Sequence, residues 1–219
     1  MNMNYTLYHY VHCPFCLRVR MTFGYLGIAY TSIVLPYDDE KTPTDLTGKK
    51  MLPILKHDQG VINESLDIMQ FIDKKDVLSI PNKRFSLEFK DFEFILAKLG
   101  NTIHSLAMPY WIFTPEFDEN SRAYFKKKRE VKRGPFQELL KNQKSFIQTV
   151  NMDLLEISKS LQPFYQSSTF GVFDIMLASH LWGLYVVPEF QFSSDIHQYL
   201  LKVKDLCHFN YHQDLWGKI

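Results

Sequence analysis

No stretch of the chain approaches the roughly 20 consecutive apolar residues of a membrane-spanning helix. Polar Asn2 and Asn4 stand where a secretory leader would carry a long apolar region. Neither membrane association nor export is expected, and the chain reads as cytoplasmic. Net charge is also missing. The 25 basic and 24 acidic side chains nearly cancel, so no overall field recruits nucleic acid, an anionic membrane or an acidic substrate. Cysteine is scarce: three residues cannot all pair within one chain, and 219 residues need no disulfide staples, which fits a reducing compartment. Internal repeats and low-complexity segments are absent. A hydrophobic content of 46%, with 15% aromatics, is enough to bury one large core or two modest ones.

Two of the three cysteines share one motif, His12-Cys13-Pro14-Phe15-Cys16. It lies between the apolar run that starts at Tyr5 and a helical stretch from Leu17 to Leu26. A C-x-x-C at a strand-to-helix junction is a redox signal, because the first thiol meets unpaired amide donors at the positive end of the helix. Such a site lowers a thiol pKa from about 8.5 into the range of roughly 3.5 to 7.5. Cys13 is placed to be the nucleophile. Cys16, one turn later on the same face, is placed to resolve a mixed disulfide formed on Cys13. Pro14 suits a first turn because it has no amide hydrogen to leave unpaired.

Around this motif the first 75 residues alternate in type. Tyr5 to Tyr10 reads as strand, Pro14 to Tyr25 as helix and Tyr30 to Leu35 as strand. A helix starts at Thr42, as cap, with Pro43 in its first turn. A hairpin pairs Ile54 to His57 with Val61-Ile62 across Asp58-Gln59-Gly60, and a helix runs from Ser65 to Lys74. This order predicts a small sheet with helices on its faces. Residues 76–84, with Pro81 and Asn82, read as a linker. Beyond it the strand signals nearly vanish. Phe85, Phe89, Phe92, Leu96, Leu99, Ile103 and Leu106 recur at helical spacing, and Phe136, Leu140, Ile147, Val150, Leu154, Ile157 and Leu161 predict a second long helix. Shorter helices near Asp118 to Lys132, Val172 to Val186 and Asp195 to Leu206 complete a bundle. The expected domains are residues 1–75, a redox domain, and 85–219, an all-helical domain.

Two further elements bear on chemistry. Met51-Leu52-Pro53-Ile54-Leu55 sets a proline just before a strand, where a cis bond in a tight turn is expected. Asn63-Glu64-Ser65 opens a helix. Its amides and the Ser65 hydroxyl suit a carboxylate, and Glu64 suits an ammonium, the two charges of a γ-glutamyl group. The alternative there is an ordinary cap by Ser65 or Asn63.

Taken together, these residues resemble the glutaredoxins. Cys13-Pro14-Phe15-Cys16 is close to the glutaredoxin Cys-Pro-Tyr-Cys, whereas thioredoxins carry Gly-Pro between their cysteines. The length, linker and helical second half resemble glutathione transferases, so the chain is similar to the two-domain, transferase-shaped glutaredoxins. The likeness includes Phe117-Asp118-Glu119, Tyr124-Phe125 and the stretch from Phe136 to Leu140. It implies an α/β thioredoxin-like N-terminal domain plus an all-α C-terminal domain. Cys13 is then the nucleophile and Cys16 the resolving thiol. Leu52-Pro53 forms a cis-proline loop whose Leu52 backbone pairs with a peptide substrate, Glu64-Ser65 forms a γ-glutamyl site, and Phe15 lies beside bound glutathione. The implied activity is glutathione-dependent reduction of protein disulfides and glutathione mixed disulfides. Glutathione is a co-substrate, no cofactor is held permanently, and a monomer is expected. The alternative is a glutathione transferase or dehydroascorbate reductase using Cys13, with Trp111 and Phe113 forming a site for an apolar electrophile. One departure stands out: Gly171 replaces the Ser or Thr that such proteins usually place three residues before Asp174, which weakens that helix cap.

Other signals have plainer readings. Lys126 to Arg129, with Lys132 and Arg133, reads as a solvated helix face, because Glu116, Asp118, Glu119 and Glu130 lie close by. Arg18 and Arg20 read as solvated helix charges. Zinc at Cys13 and Cys16 would need two further ligands, so no metal is expected. Cys207 reads as a small buried hydrophobe. His9, His12 and His104 are assigned structural roles.

Overall fold

Alternating residues Tyr5, Leu7 and His9 place one face of the first strand, β1 (Tyr5–His9), in the interior. The structure, a computed structural model, describes residues 3–80 and 84–211. Asn2, and Pro81 and Asn82 of the expected linker, lie outside the described residues. β1 leads into α1 (Pro14–Tyr25), then β2 (Thr31–Val34), α2 (Lys41–Thr47), β3 (Ile54–His57), β4 (Gly60–Asn63) and α3 (Ser65–Ile72). The sheet order is β2-β1-β3-β4, with β1 parallel to β2 and antiparallel to β3, and β3 antiparallel to β4.

Register decides what this sheet can do. Tyr8 pairs with Ile54 and Ile54 with Asn63, so the end of β1, the start of β3 and the end of β4 share one edge. The loops carrying Cys13, Leu52-Pro53 and Glu64-Ser65 all leave from that edge. Beneath it Leu7, Leu17, Ile54, Leu55, Ile68 and Met69 are fully buried. Each contributes on the order of 1.5–3 kcal/mol by leaving water.

After α3 the described elements are helices: α4 (Leu87–Trp111), α5 (Glu119–Arg133), α6 (Phe136–Lys141), α7 (Gln143–Ser158), α8 (Val172–Leu181), a 3₁₀ turn (Trp182–Val186) and α9 (Ser194–Leu206). The heptad-like stripe of α4 is buried at Phe89, Phe92, Leu96, Leu99, Ile103 and Leu106. α1 packs on α8, and an added Cβ at Gly24 would lie 1.8 Å from the backbone oxygen of Cys207, so glycine permits this close approach.

Several expectations need correction. Phe85 is 80% exposed and precedes α4, whose cap is Ser86 accepting from the Phe89 amide. The expected second long helix is two, broken where Asn142 ends α6 and begins α7; Leu140 is exposed and Leu161 lies beyond the helix. Thr42 is not a cap. α2 begins at Lys41, and the Thr42 amide donates to Asp39 Oδ1 at 2.9 Å. Helix α3 stops at Ile72, and the 172–186 stretch finishes as a 3₁₀ turn. Arg18 and Arg20 are buried: their guanidinium groups sit 4.8 Å from the Phe15 ring and 4.9 Å from the Phe209 ring. At Gly171 the cap is kept from the other side, because Asp174 accepts from the Gly171 and Tyr165 amides at 2.9 Å each and from the Tyr199 hydroxyl.

Candidate active site

Helix α1 begins with Pro14 immediately after Cys13, and its first turn carries no acidic residue. Cys13 therefore occupies the cap position with the helix's positive end unopposed. It is half-buried, while Cys16, one turn on, is fully buried. All three cysteines are free thiols. The Cys13 pKa is lowered from 9.0 to about 6. The thiol of Cys16 donates to it, and the His12 charge and the amides of Cys16 and Phe15 add to that effect, together outweighing burial. Cys16 moves the other way. Burial pushes its thiol well up, the hydrogen bond it gives Cys13 and the Cys13 charge push it further, and its sulfur accepts the Tyr10 amide at 3.4 Å. The local electrostatics thus favour the thiolate at the half-buried Cys13 and the thiol at the buried Cys16.

The next residue back, His12, is buried and has a partner that the sequence does not reveal. His12 Nδ1 lies 2.6 Å from Glu116 Oε1, and the same oxygen accepts the His12 amide at 3.0 Å. Both side chains are buried, within a ring of Tyr10, Tyr37, Trp111, Phe117 and Phe125. Burial pushes the Glu116 carboxyl up, but the His12 hydrogen bonds and charge pull it lower, onto the ionised side. In this low-dielectric box the pair fixes the imidazole beside Cys13. In the sequence Glu116 reads only as a countercharge to nearby lysines, and nothing local joins it to the thiol loop.

The Leu52–Pro53 bond is cis, and Leu52 lines the same cavity as Cys13. That cavity, about 320 Å³, is otherwise bounded by Tyr10, His12, Tyr37, Met51 and the cations Lys50, Lys128, Arg129 and Lys132. The lysine-rich helix face is solvated as expected at Lys126, Lys127, Lys128 and Lys132, which are exposed, and Lys128, Lys132 and the half-buried Arg129 also line the rim of the Cys13 cavity. Glu64, rather than Ser65 or Asn63, holds the cap position of α3, at φ 69°, and Ser65 is buried in the first turn. Glu64 and Ser65 do not line the Cys13 cavity; they stand farther along the same sheet edge, with Glu64 3.6 Å from Lys49 Nζ. Phe15 is 47% exposed and meets His180 edge-on. Trp111 packs against His12 and His104 in the interior, and Phe113 is exposed with Arg122 beside it, so neither forms an apolar pocket at Cys13. Cys207 is fully buried with its thiol pKa pushed far up by burial, as a small hydrophobe should be. Among the described residues no helix is long and apolar enough to cross a membrane.

A thioredoxin-type sheet carrying an ionised C-x-x-C thiol and a cis-proline, followed by a helical bundle, defines a class: redox-active proteins of glutathione-transferase shape. Sequence comparison narrows this. Residues 7–79 match the glutathione S-transferase N-terminal domain, and residues 91–214 match the glutaredoxin 2 C-terminal domain. Glutaredoxin 2 of Escherichia coli K12 is 33% identical over 199 residues, which cover 88% of this chain and 91% of that protein. The crystal structure of glutaredoxin 2 from Salmonella typhimurium, in complex with glutathione, superposes with a TM-score of 0.83 at 30% identity, covering 94% of this chain and 96% of that one. A Ceriporiopsis subvermispora glutathione S-transferase shares the fold at TM-score 0.74 and 15% identity, covering 94% and 96%. The chain belongs to the glutaredoxin 2 family.

Proposed function

We propose that the protein is a glutathione-dependent thiol–disulfide oxidoreductase in which Cys13 attacks and Cys16 resolves. The observation that carries this reading is the placement of the two thiols, Cys13 half-buried at the cap of α1 and Cys16 fully buried one turn on, which draws the Cys13 thiol down and pushes the Cys16 thiol up. Family membership and the glutathione complex of the Salmonella relative support it. The Cys13 thiolate attacks a disulfide sulfur, forms a bond to it and expels the other sulfur as a thiolate, which takes up a proton. Once Cys13 is bonded its charge is gone, and with it two of the causes that hold the Cys16 proton in place. Cys16 then loses that proton and attacks the Cys13 sulfur. The substrate leaves reduced, and a Cys13–Cys16 disulfide remains. One glutathione opens this disulfide at Cys13, and a second removes the first as glutathione disulfide, so two electrons pass from two thiols to one substrate disulfide. On a glutathione mixed disulfide, Cys13 takes the glutathionyl group alone, and Cys16 is not needed.

In this reading bound glutathione lies along the sheet edge, its cysteinyl backbone paired with Leu52 ahead of Pro53, its γ-glutamyl group at Glu64 and Ser65, and Phe15 alongside. Residues 1–75 form the redox domain, 76–84 the connection and 85–219 the helical domain. The cavity at the thiol is lined by four cations, which suits the apolar electrophile of the transferase alternative poorly. Incubating Cys16→Ser with glutathione disulfide tests the assignment: one glutathionyl adduct per chain on Cys13 is expected by mass spectrometry. An unmodified Cys13 in the folded protein would overturn it.

A further inference from the structure

We propose that the cavity beside Cys13 is an anion site that holds the acidic group of the thiol released from the substrate disulfide, so that the protein selects mixed disulfides whose non-glutathione half is negatively charged. This deepens the glutaredoxin reading and rests on it. The chain as a whole is nearly neutral, yet its cations are not evenly spread. Four of them, Lys50, Lys128, Arg129 and Lys132, line one cavity of about 320 Å³ that also contains Cys13 and Leu52. Among the described residues two carboxylates meet its lining: the buried Glu116, committed to His12, and the exposed Glu40, 3.8 Å from Lys50 and 3.7 Å from Lys128, so one outer carboxylate is shared by two of the four cations. Asp39 also faces Lys50 but caps the Thr42 amide, and Asp38 accepts from Ser121.

Lys50 and Arg129 are held by aromatic and backbone groups, and Lys128 by the Tyr124 ring and hydroxyl, so that Glu40 is the one carboxylate paired with them among the described residues. Lys50 donates to the Tyr37 carbonyl at 2.7 Å and lies 4.1 Å from the Tyr124 ring centre. Arg129 donates to the Tyr37 hydroxyl at 2.8 Å, its guanidinium is 5.4 Å from the Phe125 ring centre, and its buried Nε has no partner among the described residues. Its neighbour Arg133 is directed elsewhere, to the Asn101 carbonyl and the Ser105 hydroxyl. A cleft lined by one sign of charge and walled by aromatic rings focuses its field, raising the local concentration and association rate of an oppositely charged substrate. Glu64 and Ser65 do not line it, so the γ-glutamyl position and this cavity are separate parts of the edge.

The carboxylate taken there has two sources, the departing thiol or the glycyl end of glutathione, and one experiment separates them. Mixed disulfides of glutathione with 3-mercaptopropionate, β-mercaptoethanol and cysteamine present an anionic, a neutral and a cationic leaving thiol. Each kcat/KM is divided by the rate of the same compound with an uncharged dithiol, which removes differences in leaving-group pKa. The expected order is anionic, neutral, cationic, with about a tenfold span at low salt. The span shrinks as ionic strength rises, and it falls toward one in the Lys128→Gln/Lys132→Gln double variant. Equal normalised rates for all three, with brisk turnover of the β-mercaptoethanol adduct, would overturn the proposal and leave the glutaredoxin reading intact. No turnover of any adduct would count against the glutaredoxin reading itself, and the proposal would fall with it. A loss that follows replacement of the glycyl carboxylate by its amide, with no dependence on the leaving thiol, assigns the cations to glutathione and also overturns the proposal.

Discussion

His12 Nδ1 and Glu116 Oε1 are 2.6 Å apart although 104 positions separate the two residues. The residue before the nucleophile is therefore held by a carboxylate from the turn between α4 and α5, and the setting of Cys13 depends on the helical half of the chain. Breaking a buried pair by removing one partner leaves the other uncompensated, at a cost of about 3–5 kcal/mol. Glu116→Gln retains the shape and one hydrogen-bond acceptor but removes the charge. It is expected to raise the Cys13 pKa toward the ordinary thiol value and to slow exchange near neutral pH, as read from thiolate absorbance against pH. An unchanged thiolate titration in a folded variant would show that the pair serves only packing.

The Cys13 thiol should titrate in the reduced protein at about 6, as the first macroscopic step of the coupled pair. Below that pH the nucleophile is protonated, so reduction of a glutathione mixed disulfide should fall as pH drops through 6 and level off above it. The folded pKa lies below the unfolded value of 9.0, so the thiolate's contribution to the stability of the reduced form grows from about pH 6 to about pH 9 and is lost as pH falls through 6. The oxidised form lacks it. Melting temperatures of the two forms compared across this window check the sign.

Acid should weaken the fold by a separate route. Burial first, then neighbouring positive charge, lowers the pKa of His104 and His180 from 6.5 to about 3. The unfolded chain takes up these protons below 6.5 while the folded chain does not, so stability falls as pH drops from 6.5 toward 3. Denaturant midpoints at pH 7 and pH 5 should differ in that direction, and His180→Gln should flatten the slope.

Gly24 meets the Cys207 carbonyl at a distance that leaves no room for a methyl group, and both partners are backbone. Gly24→Ala is expected to push α1 from the C-terminal end of α9 at a cost of about 1–3 kcal/mol. A lowered midpoint in thermal unfolding, with the thiolate titration unchanged, is the expected result.

What was legible in the sequence followed from local chemistry. The C-x-x-C with Pro14 fixed the start of α1, the alternation from Tyr5 gave β1, Asp58-Gln59-Gly60 marked the hairpin, and the proline before β3 is cis as expected. The periodicity of α4 survived because its stripe faces one continuous core. The failures share a cause. Whether Arg18 and Arg20 are solvated depends on the partners they meet, and those include Phe209 from the far end of the chain. Leu140 and Leu161 kept a helical register on paper, but the chain turns at Asn142 and finishes its helix at Ser158, where only tertiary packing decides. Likewise no spacing rule connects His12 to Glu116, nor brings Lys128, Arg129 and Lys132 to the lining of a cavity shared with a thiol more than a hundred positions away.

The division of labour between the two thiols is tested most directly by turnover of the glutathione–β-mercaptoethanol mixed disulfide, coupled to glutathione reductase, in wild type, Cys13→Ser and Cys16→Ser. The account predicts robust turnover in the wild type, none in Cys13→Ser and retained turnover in Cys16→Ser, whose substrate needs only the one nucleophile. Equal loss in both variants, or no turnover by a folded wild-type protein with free thiols, would contradict it.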